Sequence, residues 1–175
     1  MADTDKTVPM AVIFDRDGVL NIDHGYVGDV QRLEWTPGAK LAVRRLNQAG
    51  VVVIVATNQS GVARGYFDEA AVSRVHEAMQ ADLRALGARI DAFYVCPFHP
   101  ESVLAAFADP DHPDRKPNPG MIFAALEDWR LDPDRVLLIG DKETDMEAAR
   151  RAGVTGHHFQ GGNLDRFLTE IGALK

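Results

Sequence analysis

Two aspartates one residue apart, Asp15 and Asp17, follow directly on the apolar run Met10-Ala11-Val12-Ile13-Phe14 and are succeeded by Gly18. On extended backbone, residues two apart point to the same side. The two carboxylates then share one side of a strand end, where their charges repel. Such a pair calls for a compensating cation or for catalysis. A carboxylate can attack a phosphoryl group and form an acyl phosphate, which splits hydrolysis into two easier steps. Magnesium, which prefers carboxylate and substrate oxygens, is the cation that suits such a site. Asp15 is therefore read as a nucleophile with magnesium beside it. Asp17 is read as the general acid that protonates the departing alcohol and then the base that activates water.

Other polar groups stand at comparable places. Thr57 follows the run Val51–Ala56, and Asp141 follows Val136-Leu137-Leu138-Ile139-Gly140, with Asp145 four residues on. Lys116 precedes a helix start. Taken singly, an aspartate after a strand reads more simply as a turn former or helix cap. Taken together, four separate elements bring carboxylates, a hydroxyl and an ammonium to what would be one sheet edge. The hydroxyl of Thr57 can donate to a phosphate oxygen, and Lys116 can place positive charge where negative charge builds up. Asp141 would share the magnesium with Asp15, and the ion would also relieve the repulsion between Asp15 and Asp17.

The elements that must position these groups alternate. A strand ends at Phe14, and residues 21–35 read as a loop or small hairpin above its end. Thr36-Pro37 opens a helix that Gly50 closes, with Leu41, Ala42, Leu46 and Ala49 on its apolar face. The β-branched run Val51–Ala56 reads as a strand covered on both faces. Asp68-Glu69 starts a long helix with the stripe Val72, Val75, Met79, Leu83 and Leu86, and Ile90–Cys96 gives a third strand. Residues 97–118 form a long loop with prolines at 97, 100, 110, 113 and 117, and loops of that length are usually functional or disordered. Asn118-Pro119 opens a helix bearing Ile122, Ala125, Leu126 and Trp129. A fourth strand spans Val136–Ile139, a short helix Thr144–Ala152, a weak strand Val154–Phe159, and a last helix carries Leu164, Phe167, Leu168 and Ile171. Alternation of this kind predicts an α/β fold, three layers about a mostly parallel central sheet, with ligands beyond the carboxyl ends of the strands.

Composition sets the outer bounds. The chain has 175 residues, enough for a single full core. We read residues 1–8 as a flexible tail and 9–175 as one domain. A net charge of −7 disfavours non-specific binding to nucleic acid or anionic membrane. The lone Cys96 suits a reducing compartment. With no secretory signal and no apolar stretch near the roughly 20 residues of a membrane span, a cytoplasmic protein is expected.

The set Asp15-x-Asp17-Gly18, Thr57, Lys116 and Gly140-Asp141-x-x-x-Asp145 resembles the four motifs of the haloacid dehalogenase (HAD) superfamily. The resemblance implies a Rossmann-like fold, magnesium and an aspartyl-phosphate, and Asp17 points to a phosphatase within it. A closer resemblance rests on Asp15-Arg16-Asp17-Gly18, Asp23-His24-Gly25-Tyr26-Val27, Thr57-Asn58-Gln59-Ser60-Gly61, Arg115-Lys116-Pro117 and Gly140-Asp141-Lys142. These are similar to the D-glycero-D-manno-heptose 1,7-bisphosphate phosphatases, relatives of the histidinol-phosphate phosphatases. That likeness implies a small enzyme with no separate cap domain, acting on a phosphorylated sugar on the way to nucleotide-activated heptose for surface polysaccharide (lipopolysaccharide). It implies that Thr57, Arg115 and Lys116 hold the transferring phosphoryl group. It also implies that Asp23, His24, Gly25, Tyr26, Asn58, Gln59, Ser60 and Lys142 line the substrate pocket. In the family pattern Asp17 joins Asp15 and Asp141 at the metal through its backbone carbonyl, leaving its side chain free. A monomer is expected. The rivals are a histidinol-phosphate phosphatase and a non-catalytic phosphosugar-binding domain.

Many members of the family bind a structural zinc in the long loop through Cys-x-His and Cys-x-Cys. Here Cys96, Phe98, His112 and Asp114 stand in those places. Cys96, His99, His112 and Asp114 form a conceivable substitute set, but a zinc-free, proline-stiffened loop is the expectation. His157-His158 reads as a strand-edge pair, His76 and Glu77 as a solvated helix face, and Trp35 and Trp129 as core.

Overall fold

The computed structural model describes residues 8–175; of the expected tail at 1–8, all but Val8 lies outside the described residues. Five strands, β1 (Ala11–Phe14), β2 (Val52–Asn58), β3 (Ala92–Cys96), β4 (Val136–Gly140) and β5 (Thr155–His158), form one sheet in the order β3-β2-β1-β4-β5. Every neighbouring pair is parallel. Helices α1 (Ala39–Gln48), α2 (Glu69–Arg84), α3 (Gly120–Asp128), α4 (Glu143–Ala152) and α5 (Leu164–Glu170) cover it. The side-chain alternation of β1 divides the core. Val12 and Phe14 pack with α1, α2 and α5, while Ala11 and Ile13 pack with α3 and α4. All four are fully buried, each large side chain contributing about 1.5–3 kcal/mol on leaving water.

Register explains why the polar groups converge. Phe14 is level with Val55 on β2 and Ile139 on β4. Asp15 therefore leaves the sheet beside Ala56 and Gly140, with Thr57 and Asp141 one residue further along their own strands. The Asp15 amide donates to the Ile139 carbonyl at 2.9 Å, which fixes that exit.

The structure departs from the sequence reading in several places. β2 continues through Thr57 and Asn58, which pair with Val95 and Cys96 of β3. Both lie in a ladder and not in a turn. Helix α1 begins at Ala39, with Gly38 at φ 77° as its cap. A Cβ on Gly38 would collide with Asn163, the residue that caps α5, so close approach of the two helix starts displaces the beginning from Pro37. Leu41, Leu86 and Trp129 are exposed. Leu41 lies off the stripe Ala39, Ala42, Val43, Leu46, and Leu86 and Trp129 come after their helices have ended. Trp35 is half-buried, its Nε1 donating to Asp82 at 2.7 Å. Residues 21–35, expected as a loop or small hairpin, form a loop with one Asn21–Trp35 bridge and a 3-10 turn at Val30–Arg32. His76 is buried, against the solvated face expected for it, whereas Glu77 is exposed.

Candidate active site

At the centre of the sheet edge lies a buried charge cluster. The Lys116 ammonium donates to Asp15 Oδ1 at 3.0 Å and to the Ala56 carbonyl at 2.8 Å, and sits 2.6 Å from Asp145 Oδ1. Asn58 holds the Lys116 backbone from both sides: its Nδ2 donates to the Lys116 carbonyl, and its Oδ1 accepts from the Lys116 amide. Asp145 reaches inward from the first turn of α4 and accepts from the Lys142 amide at 3.1 Å. Gly140 permits this, since a Cβ there would strike the Asp145 side chain.

Carboxylate oxygens of Asp15, Asp141 and Asp145 all lie within 4.8 Å of one another. Three carboxylates share one buried ammonium, and Lys142 at the rim offsets them only in part, so negative charge is in excess. Burial pushes the Asp15 carboxyl up from 3.8 to about 7, with Lys116 opposing and Asp145 adding to the rise. Asp141 is raised too, first by burial. Burial also opposes the Lys116 charge, but Asp15 and Asp145 outweigh it and hold the ammonium protonated. Asp141 Oδ1 is buried with no hydrogen-bond partner. A hard divalent cation satisfies each of these conditions, because it supplies two positive charges to an all-oxygen donor set. Gly18, at φ 86°, leaves the room: a Cβ there would collide with the Asp141 carboxylate. The residues fit magnesium.

Asp17 has different surroundings. Its Oδ1 accepts from Asn21 Nδ2 at 2.9 Å and its Oδ2 from Gln59 Nε2 at 2.8 Å. Arg16 Nη2 reaches both oxygens at 3.0 Å. Gln59 is almost fully buried, and its amide also donates to Thr57 Oγ1 at 2.9 Å. Gln59 therefore ties the Asp17 carboxylate to the Thr57 hydroxyl. Arg16 is fully buried, and neither it nor Asn21 was given a role by the sequence reading. The signal was a cation inside the Asp15-Arg16-Asp17 motif, where a buried charge must find partners.

These groups face a cavity of about 440 Å³ lined by Asp15, Asp17, Asp23, Gly25, Tyr26, Asn58, Gln59, Ser60, Gly61, Arg115, Lys116, Lys142, Thr144 and Asp145. Most of the expected substrate residues are thus on its wall, and Gly61 and Thr144 join them. Thr57 is buried and does not line the cavity, and its Oγ1 accepts from Gln59, which does. His24 is not on the wall: its Nε2 lies 2.7 Å from Glu34 on the outer surface. Arg32 shapes this rim by donating to the carbonyls of His24, Gly25 and Tyr26. Lys142 lies 3.6 Å from Asp23 across the mouth. Burial opposes its charge, but Asp141, Asp15 and Asp23 together raise its pKa.

Known proteins resemble this chain in sequence and in fold. A family model described as "HAD-hyrolase-like" matches residues 114–166. The D-glycero-beta-D-manno-heptose-1,7-bisphosphate 7-phosphatase of Rhodopseudomonas palustris is 45% identical over 162 residues, 92% of this chain and 89% of that protein. The enzyme of the same name from Escherichia coli K12 is 40% identical over 149 residues, 85% of this chain and 77% of that one. Among solved structures, the D,D-heptose 1,7-bisphosphate phosphatase of B. bronchiseptica, complexed with magnesium and phosphate, superposes with a TM-score of 0.77 at 35% identity. That match covers 94% of this chain and 88% of the other. The chain belongs to the heptose-bisphosphate phosphatase family of HAD hydrolases.

The end of β3 and the long loop after it hold the four residues of the substitute zinc set. Among the described residues, Cys96, His99, His112 and Asp114 do not gather as a metal-ligand group; the acidic trio at the sheet edge does. The His112 ring instead stacks on Phe98 at 3.8 Å between centroids, and Phe107 meets Phe98 edge-on at 5.8 Å. His99 Nδ1 accepts from the Glu101 amide at 2.9 Å, and the Arg115 guanidinium donates to the Phe98 carbonyl at 3.0 Å. As placed here, these four side chains do not converge on one point.

Proposed function

We propose that this protein hydrolyses the C7 phosphate of D-glycero-D-manno-heptose 1,7-bisphosphate through an aspartyl-phosphate on Asp15. The observation that carries this reading is the division between the two aspartates at the end of β1, one in a cation-demanding cluster and the other held by neutral and cationic donors. Asp15, Asp141 and Asp145 would hold magnesium, with the Asp17 carbonyl completing the family pattern. When bound, the ion neutralises the cluster and withdraws charge from the phosphoryl oxygens.

The remaining chemistry belongs to the chain's own side chains. An Asp15 oxygen attacks phosphorus while the bond from phosphorus to the C7 oxygen breaks, and Asp17 delivers a proton to that oxygen. Water then attacks the phosphorus of the acyl phosphate and gives its proton to Asp17. Inorganic phosphate leaves and the Asp15 carboxylate is regenerated. Arg115 and Lys116 orient the transferring group from the cavity wall, Thr57 supports it through Gln59, and Asp23, Gly25, Tyr26, Asn58, Gln59, Ser60 and Lys142 position the sugar. Arg64 supports a doubly phosphorylated substrate. It lies close enough to Arg115 to lower that guanidinium's pKa, though burial lowers it most. Its Nε is buried without a partner, and its head lies 5.9 Å from the Tyr26 ring centre at the cavity rim. Among the described residues no helix is long and apolar enough to cross a membrane. A single-domain, monomeric, zinc-free cytoplasmic enzyme completes the proposal.

Phosphate release from both heptose bisphosphate anomers, heptose 7-phosphate and histidinol phosphate, measured side by side, tests the substrate. A preference for histidinol phosphate overturns the assignment. Arg64→Leu should raise KM for the bisphosphate and spare the monophosphate.

A further inference from the structure

The buried histidine on α2 lies outside the mechanism above, yet it touches the motif at the centre of it. His76 Nε2 is 3.3 Å from Arg16 Nη1, which has no other hydrogen-bond partner among the described residues. The remaining guanidinium contacts are spent on the Asp17 carboxylate, the Val27 carbonyl at 2.6 Å and Gln59 Oε1 at 3.2 Å. A guanidinium has donors only, so Nε2 must be the acceptor and the imidazole proton must sit on Nδ1. Stacking on Phe93 of β3, at 4.2 Å and 15° between planes, fixes the orientation of the ring. Burial first, and Arg16 second, lower the His76 pKa to about 3, in keeping with a neutral acceptor.

We propose that His76 is a positioning residue for Asp17, acting through Arg16: it completes the partners of a fully buried guanidinium whose fork sets where the Asp17 carboxylate points. The proposal rests on the assignment of Asp17 as the proton donor to the leaving alcohol. Three elements meet in this relay, with β3 setting the ring, α2 carrying it and the β1 exit loop receiving it. Without the acceptor, Arg16 Nη1 is buried and unpaired. The guanidinium then turns toward another oxygen and draws Asp17 with it. The consequence is specific, because Asp17 matters most where the leaving oxygen needs a proton. An alkyl phosphate, including a sugar phosphate, needs it; p-nitrophenyl phosphate, whose leaving group departs as a stable anion, does not.

The test is a set of three variants assayed on both substrate classes with magnesium present. Gln places its Oε1 near the position of Nε2, Asn falls short of Arg16, and Leu removes the acceptor. His76→Leu and His76→Asn should lower kcat/KM for the sugar bisphosphate about tenfold, the scale of one lost hydrogen bond to a charged group, and change that for p-nitrophenyl phosphate less than twofold. His76→Gln should restore both to near the wild-type values. Equal losses on the two substrates, or no loss in a folded Leu or Asn variant, would overturn the proposal. So would failure of both Leu and Asn to fold, read as loss of a cooperative melting transition, since His76 would then be a structural member of the core. Failure of the proposed sugar substrate alone leaves this test intact, because any alkyl phosphate that is turned over can replace it.

Discussion

Asp15 and Asp17 are the same residue type, two positions apart, in opposite surroundings. Asp15 is buried among carboxylates with one lysine, and its proton affinity is raised. Asp17 receives hydrogen bonds from an arginine and two amides. The first environment makes charge expensive until a cation arrives. The second holds one carboxylate in one orientation whatever the metal does. Assigning attack to the first and proton transfer to the second follows from the environments, because separate surroundings are what allow two carboxyl groups to take different roles in one site.

Four substitutions or titrations sharpen that contrast. Asp15→Asn should abolish turnover of every phosphate ester, a loss of about 10⁴-fold or more in kcat, visible in steady-state phosphate release. Asp17→Asn should cost about 10²–10⁴-fold on alkyl phosphates, with kcat/KM for p-nitrophenyl phosphate much less affected. If the two variants lose equally on both substrates, the division of labour is wrong. Gly18→Ala strikes the metal side first: its Cβ would collide with the Asp141 carboxylate. It should weaken magnesium binding by roughly 10–100-fold, measured by calorimetry.

The smallest effect concerns stability without metal. The folded Asp15 pKa lies above its unfolded value of 3.8. Its contribution to stability is therefore complete below 3.8 and lost as pH rises through about 7. His76 runs the other way, since its folded pKa is depressed to about 3 from 6.5 and its contribution is lost as pH falls below 6.5. A difference measurement separates the two. Metal-free Asp15→Asn should melt a few degrees above metal-free wild type at pH 8, and the gap should close toward pH 4. Magnesium should raise the wild-type melting temperature at pH 8 by linkage. A gap that does not change with pH would contradict the charge frustration assigned to Asp15.

Much of this site was legible because strand ends are punctuated by polar residues. Asp15, Thr57 and Asp141 each follow an apolar run, and parallel register does the rest. The parts that were not legible depend on packing. His76 sits on the same helical stripe as Val72, Val75, Met79 and Leu83, so its spacing already marked it as inward-facing. Its polarity argued for solvent, and the spacing was the better guide. Leu41 and Leu86 show the converse, since hydrophobic character outvoted their spacing or their position beyond a helix end. His24 could not be placed from sequence because its loop is shaped by Arg32, eight residues away, through backbone carbonyls. The aromatic stack of Phe98 and His112 is equally a matter of loop closure, joining positions that no periodicity relates.

The central claim is that Asp15 carries the phosphoryl group while Asp17 moves the proton. Trapping the covalent intermediate tests it most directly. In Asp17→Asn, p-nitrophenyl phosphate should still phosphorylate the enzyme, and the acyl phosphate should accumulate because its hydrolysis lacks a base. Borohydride reduction followed by peptide mass spectrometry should then find homoserine at position 15 and at no other aspartate. Absence of any trapped species, or modification at Asp141 or Asp145 in place of Asp15, would contradict the account.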